Sequence, residues 1–145
     1  MHNDSEYFGR TAIVAGDEMM TSLSDTRVIV FGVGGVGSWC VEALARSAVG
    51  HITIVDSDTV APSNINRQMP ALSSTVGQAK VDVIARRIAD INPDAHINAM
   101  QKRYTPTTAH EFDIENYDYV IDAIDSLPDK ADLILRCTSG ATAPH

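Results

Sequence analysis

The stretch VIVFGVGGVGSWCVEALARS, residues 28–47, constrains this chain more than any other part of it. A run of β-branched and aromatic residues (27–31) leads into clustered glycines and then into a segment with helical apolar spacing (38–48). That order reads as a buried parallel strand, a tight turn and a helix. Gly32, Gly34 and Gly37 have G-x-G-x-x-G spacing, and Gly35 adds further freedom. The first glycine permits the turn, the second lets backbone approach a phosphate, and the third lets helix pack closely on strand. The helix that starts there points its N–H groups and positive dipole end at an anion. Such a turn holds either the pyrophosphate of a dinucleotide or the triphosphate of ATP, and the spacing alone does not separate the two.

The rest of the chain repeats the alternation. Further strands are expected at 51–56, 95–100 and 117–124. Helices are expected at 76–92, stopped by Pro93, and at 128–137, with Pro128 in the first turn. The 38–48 helix should bury Trp39, Cys40, Ala43 and Leu44, and the 76–92 helix Val83, Ile84, Ile88 and Ile91. Residues 106–113 suggest a short helix, 57–74 a long polar loop, and 6–23 one or two helices broken near Gly9 or Gly16. The fold class is therefore α/β: a Rossmann-like, mostly parallel sheet with helices on both faces, preceded by an N-terminal helical segment. Residues 1–145 read as one domain. Ligands in such sheets bind beyond the carboxyl ends of the strands. Gly32 to Gly37, then Asp56 and Asp58, then Asp122 and Asp125 all fall there.

Charge and composition narrow the partners. The formal net charge of −8 argues against non-specific nucleic-acid binding, which needs Lys and Arg to neutralise phosphates, but leaves room for an RNA held by a local basic patch. No apolar run approaches the ~20 residues of a membrane span. The start shows no basic region followed by an apolar core, so a cytoplasmic protein without a membrane partner is expected. Cys40 and Cys137 form no C-x-x-C pair, which argues against structural zinc; Cys40 reads as core packing.

The residues beyond the turn favour ATP over NAD. Asp56 follows Gly37 by about twenty positions, where an acid accepts hydrogen bonds from a ribose. Asn64, Arg67, Gln68 and Lys80 then crowd cations and amides near the phosphates, as displacement at phosphorus requires. Asp122 and Asp125 sit where a carboxylate holds magnesium against phosphate oxygens.

GVGGVGSW, VDSDTVAPSNINRQ, VGQAKVDVIARRIADINP and VIDAIDSLPDK resemble the ubiquitin-activating-enzyme-like adenylyltransferases, over about residues 8–130. The tryptophan of GGVGSW and the wording VIDAIDS are most similar to the branch of tRNA threonylcarbamoyladenosine dehydratases. The resemblance implies an α/β adenylation domain in which Asp56 binds ribose, Asn64, Arg67 and Lys80 contact the ATP phosphates, and Asp125 is the magnesium-associated acid, with Asp122 beside it. It implies that Arg10, in YFGR, enters the ATP site of a second copy, so that the working unit is a homodimer. It implies attack of a carboxylate on the α-phosphorus of ATP. The carboxylate belongs to the threonylcarbamoyl group of tRNA adenosine 37 in the dehydratase branch, and to the terminal glycine of a ubiquitin-like carrier protein in the sulfur-carrier branch. An NAD-dependent oxidoreductase and a non-catalytic nucleotide-binding fragment are the alternatives from other classes. The family domain continues well past this length, and RCTSGATAPH does not read as that continuation. The expectation is a nucleotide half that is present and a substrate half that is absent or incomplete.

Overall fold

The computed structural model describes residues 4–139. The terminal segment GATAPH, on which the reading of an altered tail partly rests, lies outside the described residues.

Four strands, β1 (Arg27–Phe31), β2 (His51–Val55), β3 (His96–Met100) and β4 (Tyr119–Asp122), form an all-parallel sheet in the order β3-β2-β1-β4. Helices α3 (Gly35–Arg46), α4 (Lys80–Ile91) and α5 (Leu127–Ser139) connect or follow them. The N-terminal pair α1 (Asp4–Ala15) and α2 (Asp17–Asp25) breaks at Gly16, with a further kink at Phe8. Among the described residues no helix is long and apolar enough to cross a membrane.

Alternation along β1 divides the core. Val28 and Val30 face Val41 and Ala45 of α3 and Ile84 and Ile88 of α4. Ile29 and Phe31 face Tyr104, Phe112 and, from α5, Leu133. Helices therefore cover both sheet faces, as expected. α1 and α2 pack through Phe8 and Met20 on Ala48, beyond the end of α3.

Two helices differ from the sequence reading. α3 starts at Gly35 and buries Gly37, Ser38, Val41, Glu42 and Ala45, while Trp39 is 56% exposed and Ala43 is exposed. The close approach of Gly37 to β1's turn fixes the helix rotation, and Trp39 is about 200° round from it. α4 starts at Lys80, four residues late, because Gly77 has φ +88° and Ala79 bridges to Thr59. Residues 106–113 give only a short 3-10 turn, Ala109–Glu111. The 57–74 loop is ordered by its own polar groups: Asn64 Oδ1 accepts from Ala61 N–H (2.9 Å), and Thr75 Oγ1 donates to Pro70 O (2.6 Å).

Glu42 joins the two helices of one face. It accepts from Arg87 Nε at 2.6 Å and Nη2 at 2.9 Å across to α4, and from Arg46 Nε at 2.9 Å within α3. The Arg87 guanidinium, aided by Arg46 and opposed by burial, holds this carboxyl below its ordinary range.

At the opposite end of the sheet from the glycine turn, His51 and His96 are register partners on β2 and β3 and stack at 4.7 Å. Burial, then the charges of His96 and Arg27, push His51 below 6.5, against a smaller opposite pull from Asp25. The unfolded chain therefore takes up the proton first. The stability His51 contributes is present above about pH 6.5 and is lost as pH falls through its folded value. Thermal melts should show a His51→Gln variant losing less melting temperature than wild type between pH 7.5 and 5. Parallel losses in the two proteins would remove His51 from this role.

Candidate functional site

A cleft of about 830 Å³ opens at the carboxyl ends of the strands, within the range of small-molecule sites. Its floor is the β1–α3 turn. Gly32 has φ +95° and donates its N–H to Val55 O at 2.8 Å. A Cβ on Gly32 would strike the carbonyl of Ala123 after β4, and one on Gly37 would strike the carbonyl of Gly32. No side chain caps α3, whose N-cap is Gly34. Its first-turn N–H groups are left for an acceptor from outside the helix.

Asp56 braces this turn. One carboxylate oxygen accepts from Val33 N–H (2.9 Å) and the other from Asp58 N–H (2.8 Å). Asp58 in turn accepts Lys80 N–H on its backbone carbonyl (3.0 Å), tying α4 to the end of β2.

Lys80 is 5% exposed, yet its side chain lines the cleft. Its ion-pair partner, the exposed Asp58 carboxylate, is 3.7 Å away, too long for a good hydrogen bond. A cation in the first turn of a helix also opposes the dipole. A near-buried ammonium in that position is poised for an anion. Beside it, Asn64 is buried with its Oδ1 committed to the loop. Gln68 lies over Gly34, its Oε1 buried without a hydrogen-bond partner. Turned about its last side-chain bond, the same amide would present NH2, a donor for a phosphate oxygen. Arg67 lines the cleft from an exposed position, steered by Ser63 O (3.1 Å) and Asn66 Oδ1 (2.9 Å).

The facing wall comes from the ends of β3 and β4. Asp122 Oδ1 accepts from Ile124 N–H (3.0 Å) and Oδ2 from Lys130 Nζ (2.8 Å). Asp125 is exposed on the rim, and among the described residues no hydrogen bond or ion pair reaches its carboxylate. Lys102, Arg103 and Tyr104 also line the cleft and were missed in the sequence. QKRY follows β3, so the rule that flagged the other strand ends applies to it equally. Arg103 pairs with the buried Asp129 (3.0 Å). Tyr104 donates to Asp132 (2.6 Å) and is pushed up to about 12, chiefly by burial.

The structure thus brings Gly32, Gly34, Gly35, Gly37, Asp56, Asp58, Asn64, Arg67, Gln68, Lys80, Asp122 and Asp125 to one cleft. Arg10 is not among the lining residues; it is exposed on α1. Cys40 on α3 and the buried Cys137 lie outside the cleft, and burial raises both thiols, so neither is placed or ionised as a nucleophile. Among the described residues no cluster of three or more His, Cys, Asp or Glu could enclose a metal ion. What the cleft offers is backbone amides, cations and a free carboxylate, the equipment for binding and polarising a polyphosphate.

The model of the ThiF family matches residues 8–142. The tRNA threonylcarbamoyladenosine dehydratase of Bacillus subtilis is 48% identical over 130 residues, 90% of this chain and 51% of the relative. That of Escherichia coli is 45% identical over 130 residues, 90% of this chain and 48% of the relative. The crystal structure of E. coli tRNA N6-threonylcarbamoyladenosine dehydratase, TcdA, in complex with ATP superposes with a TM-score of 0.93 at 42% identity, covering 96% of this chain and 57% of that one. The chain spans about half the length of the curated relatives it matches.

Proposed function

The chain belongs to the ThiF family, and from that premise we propose that its cleft binds ATP and presents the α-phosphorus to a carboxylate. The observation that carries this reading is Lys80: a cation 5% exposed, lining the cleft, with one loose carboxylate partner. A hydride-transfer site needs room for a nicotinamide and rarely crowds cations at its phosphates.

In the proposed reaction an oxygen of the substrate carboxylate forms a bond to the α-phosphorus as the bond to the β-phosphate oxygen breaks. Pyrophosphate leaves with the electron pair, and an acyl-adenylate remains. No protein nucleophile is needed; positioning and charge neutralisation supply the catalysis. The first-turn amides of α3, with Lys80, Arg67, Asn64 and Gln68, hold the phosphates. Asp56, already oriented by two backbone donors, takes the ribose hydroxyls. Asp125, a hard oxygen donor with no hydrogen bond or ion pair among the described residues, would suit magnesium, and the ion when bound would offset phosphate charge.

The proposed substrate is the threonylcarbamoyl group of tRNA adenosine 37, supported by the names of the relatives. Adenylation converts its carboxylate oxygen to a leaving group; internal attack by the carbamoyl group on the acyl carbon closes a ring as the bond to that oxygen breaks, AMP departs with the oxygen and its electron pair, and the carbamoyl N–H proton is released to solvent. The setting proposed is the cytoplasm. The proposed partner is a second copy of the chain, whose Arg10 would complete the cleft; Ile13 and Val14 are exposed beside it on α1. Sedimentation at the monomer's mass would rule out this partner.

Calorimetry with ATP–Mg²⁺ and NAD side by side tests the central reading. Saturable heat with ATP–Mg²⁺ and none with NAD is expected. Binding of NAD, indifferent to magnesium, would replace adenylation with oxidoreduction.

A further inference from the structure

We propose that Asp122 and Lys130 form a positioning pair that holds Asp125 at the cleft, and that Asp122 itself is not a ligand of nucleotide or metal. The inference rests on the ATP reading above and assigns a division of labour among its acids.

Four observations carry it. Asp122 is the last residue of β4, in register with Phe31, so it stands directly beside the glycine turn. Both of its oxygens are engaged by protein donors, Ile124 N–H and Lys130 Nζ, and unlike Asp56, which accepts only backbone N–H groups, it is neutralised by a cation. Lys130 is in the first turn of α5, its own N–H bonded to Ser126 O (2.9 Å). The two contacts therefore close a loop from the end of β4 to the start of α5, with Asp125 inside it. Lastly, that loop forms one wall of the glycine turn: Ala123 N–H donates to Phe31 O (2.8 Å), and the Ala123 carbonyl occupies the space a Gly32 side chain would need.

The electrostatics agree with the geometry. Lys130 compensates Asp122, with side-chain exposures of 35% and 19%. Asp125 is left as the uncompensated acid of this segment, which is what a shared divalent ion requires. Groups that only orient a metal ligand commonly change metal affinity by about 10-fold to 100-fold when removed.

The test is a double-mutant cycle read by calorimetry on the full chain. Asp122→Asn and Lys130→Met should each raise the Mg²⁺ concentration that half-saturates ATP binding by about tenfold. The double variant should be no worse than either single one, because each acts through the other. AMP binding should be unchanged in all three, a result that general loosening of the fold would not give. Lys130→Arg, which keeps a donor for Asp122, should lie near wild type and serves where Lys130→Met does not fold.

A loss in Asp122→Asn alone would make Asp122 a metal ligand and overturn the proposal. Additive losses would make Lys130 a direct phosphate contact and also overturn it. Failure of the wild-type chain to bind ATP with magnesium strikes the functional reading instead, so the two failures are distinct.

Discussion

Lys80→Met should lose ATP affinity by about 10-fold to 100-fold, the ~1.5–3 kcal/mol of a hydrogen bond to a charged group, while melting no lower than the wild-type protein. The two halves of this expectation come from one fact. Lys80 is nearly buried and its carboxylate partner is distant and exposed. Keeping an ammonium there is unfavourable for the folded chain, and methionine fills the same volume without charge. Local rules broken at a cost to the fold concentrate at functional sites. Calorimetry with ATP and with AMP, and a thermal melt, are the measurements. The loss should be larger for ATP, whose β- and γ-phosphates are the added charge. Equal loss for both nucleotides would dissociate Lys80 from the polyphosphate. A melting temperature several degrees lower would show that the ammonium is structural.

Gly37→Ala should abolish nucleotide binding outright. A Cβ at this position falls on the carbonyl of Gly32, and close by stands the Ala123 Cβ, at 3.2 Å. Both neighbours are held: Gly32 by its N–H bond to Val55 O, Ala123 by its N–H bond to Phe31 O. Relief requires α3 to lift from the sheet, moving its first-turn amides off the cleft. The penalty falls among the large values expected of overpacking against backbone, about 3 kcal/mol or more. If the Gly37 variant binds ATP like wild type, the turn is not the rigid seat described.

The sheet was legible in the sequence because each strand is a short β-branched run at a position where both faces are covered, and such runs have few other uses. The ends of those strands were enough to nominate the acids and amides of the cleft. What failed was rotation and reach. Apolar periodicity put Trp39 inside, but α3's rotation is set by the contact of Gly37 with a carbonyl, which no hydrophobic pattern encodes. The 76–92 periodicity ran through Gly77, whose positive φ ends any helix. Lys102 and Arg103 were passed over because a polar QKRY after a strand looks like an ordinary loop until the fold closes on it. The Asp122–Lys130 contact spans a turn whose path depends on tertiary packing, so sequence spacing gave no hint of it. Arg10 is a different case: it lies exposed on α1 and does not line the cleft of its own chain, so its role belongs to the proposed second copy.

Glu42 gives the site a fixed gauge. In the proposed ATP site the amides of α3 and the ammonium at the head of α4 would have to stay a set span apart to grip one chain of phosphates, and the strap between those helices is the forked contact of Arg87 on Glu42. That carboxyl stays ionised below its usual 4.5. The strap's contribution is therefore complete above that value and fades only as pH falls through the lower, folded one. Over the whole mildly acidic range the jaws keep their width, and what varies with conditions is the cargo, not the grip.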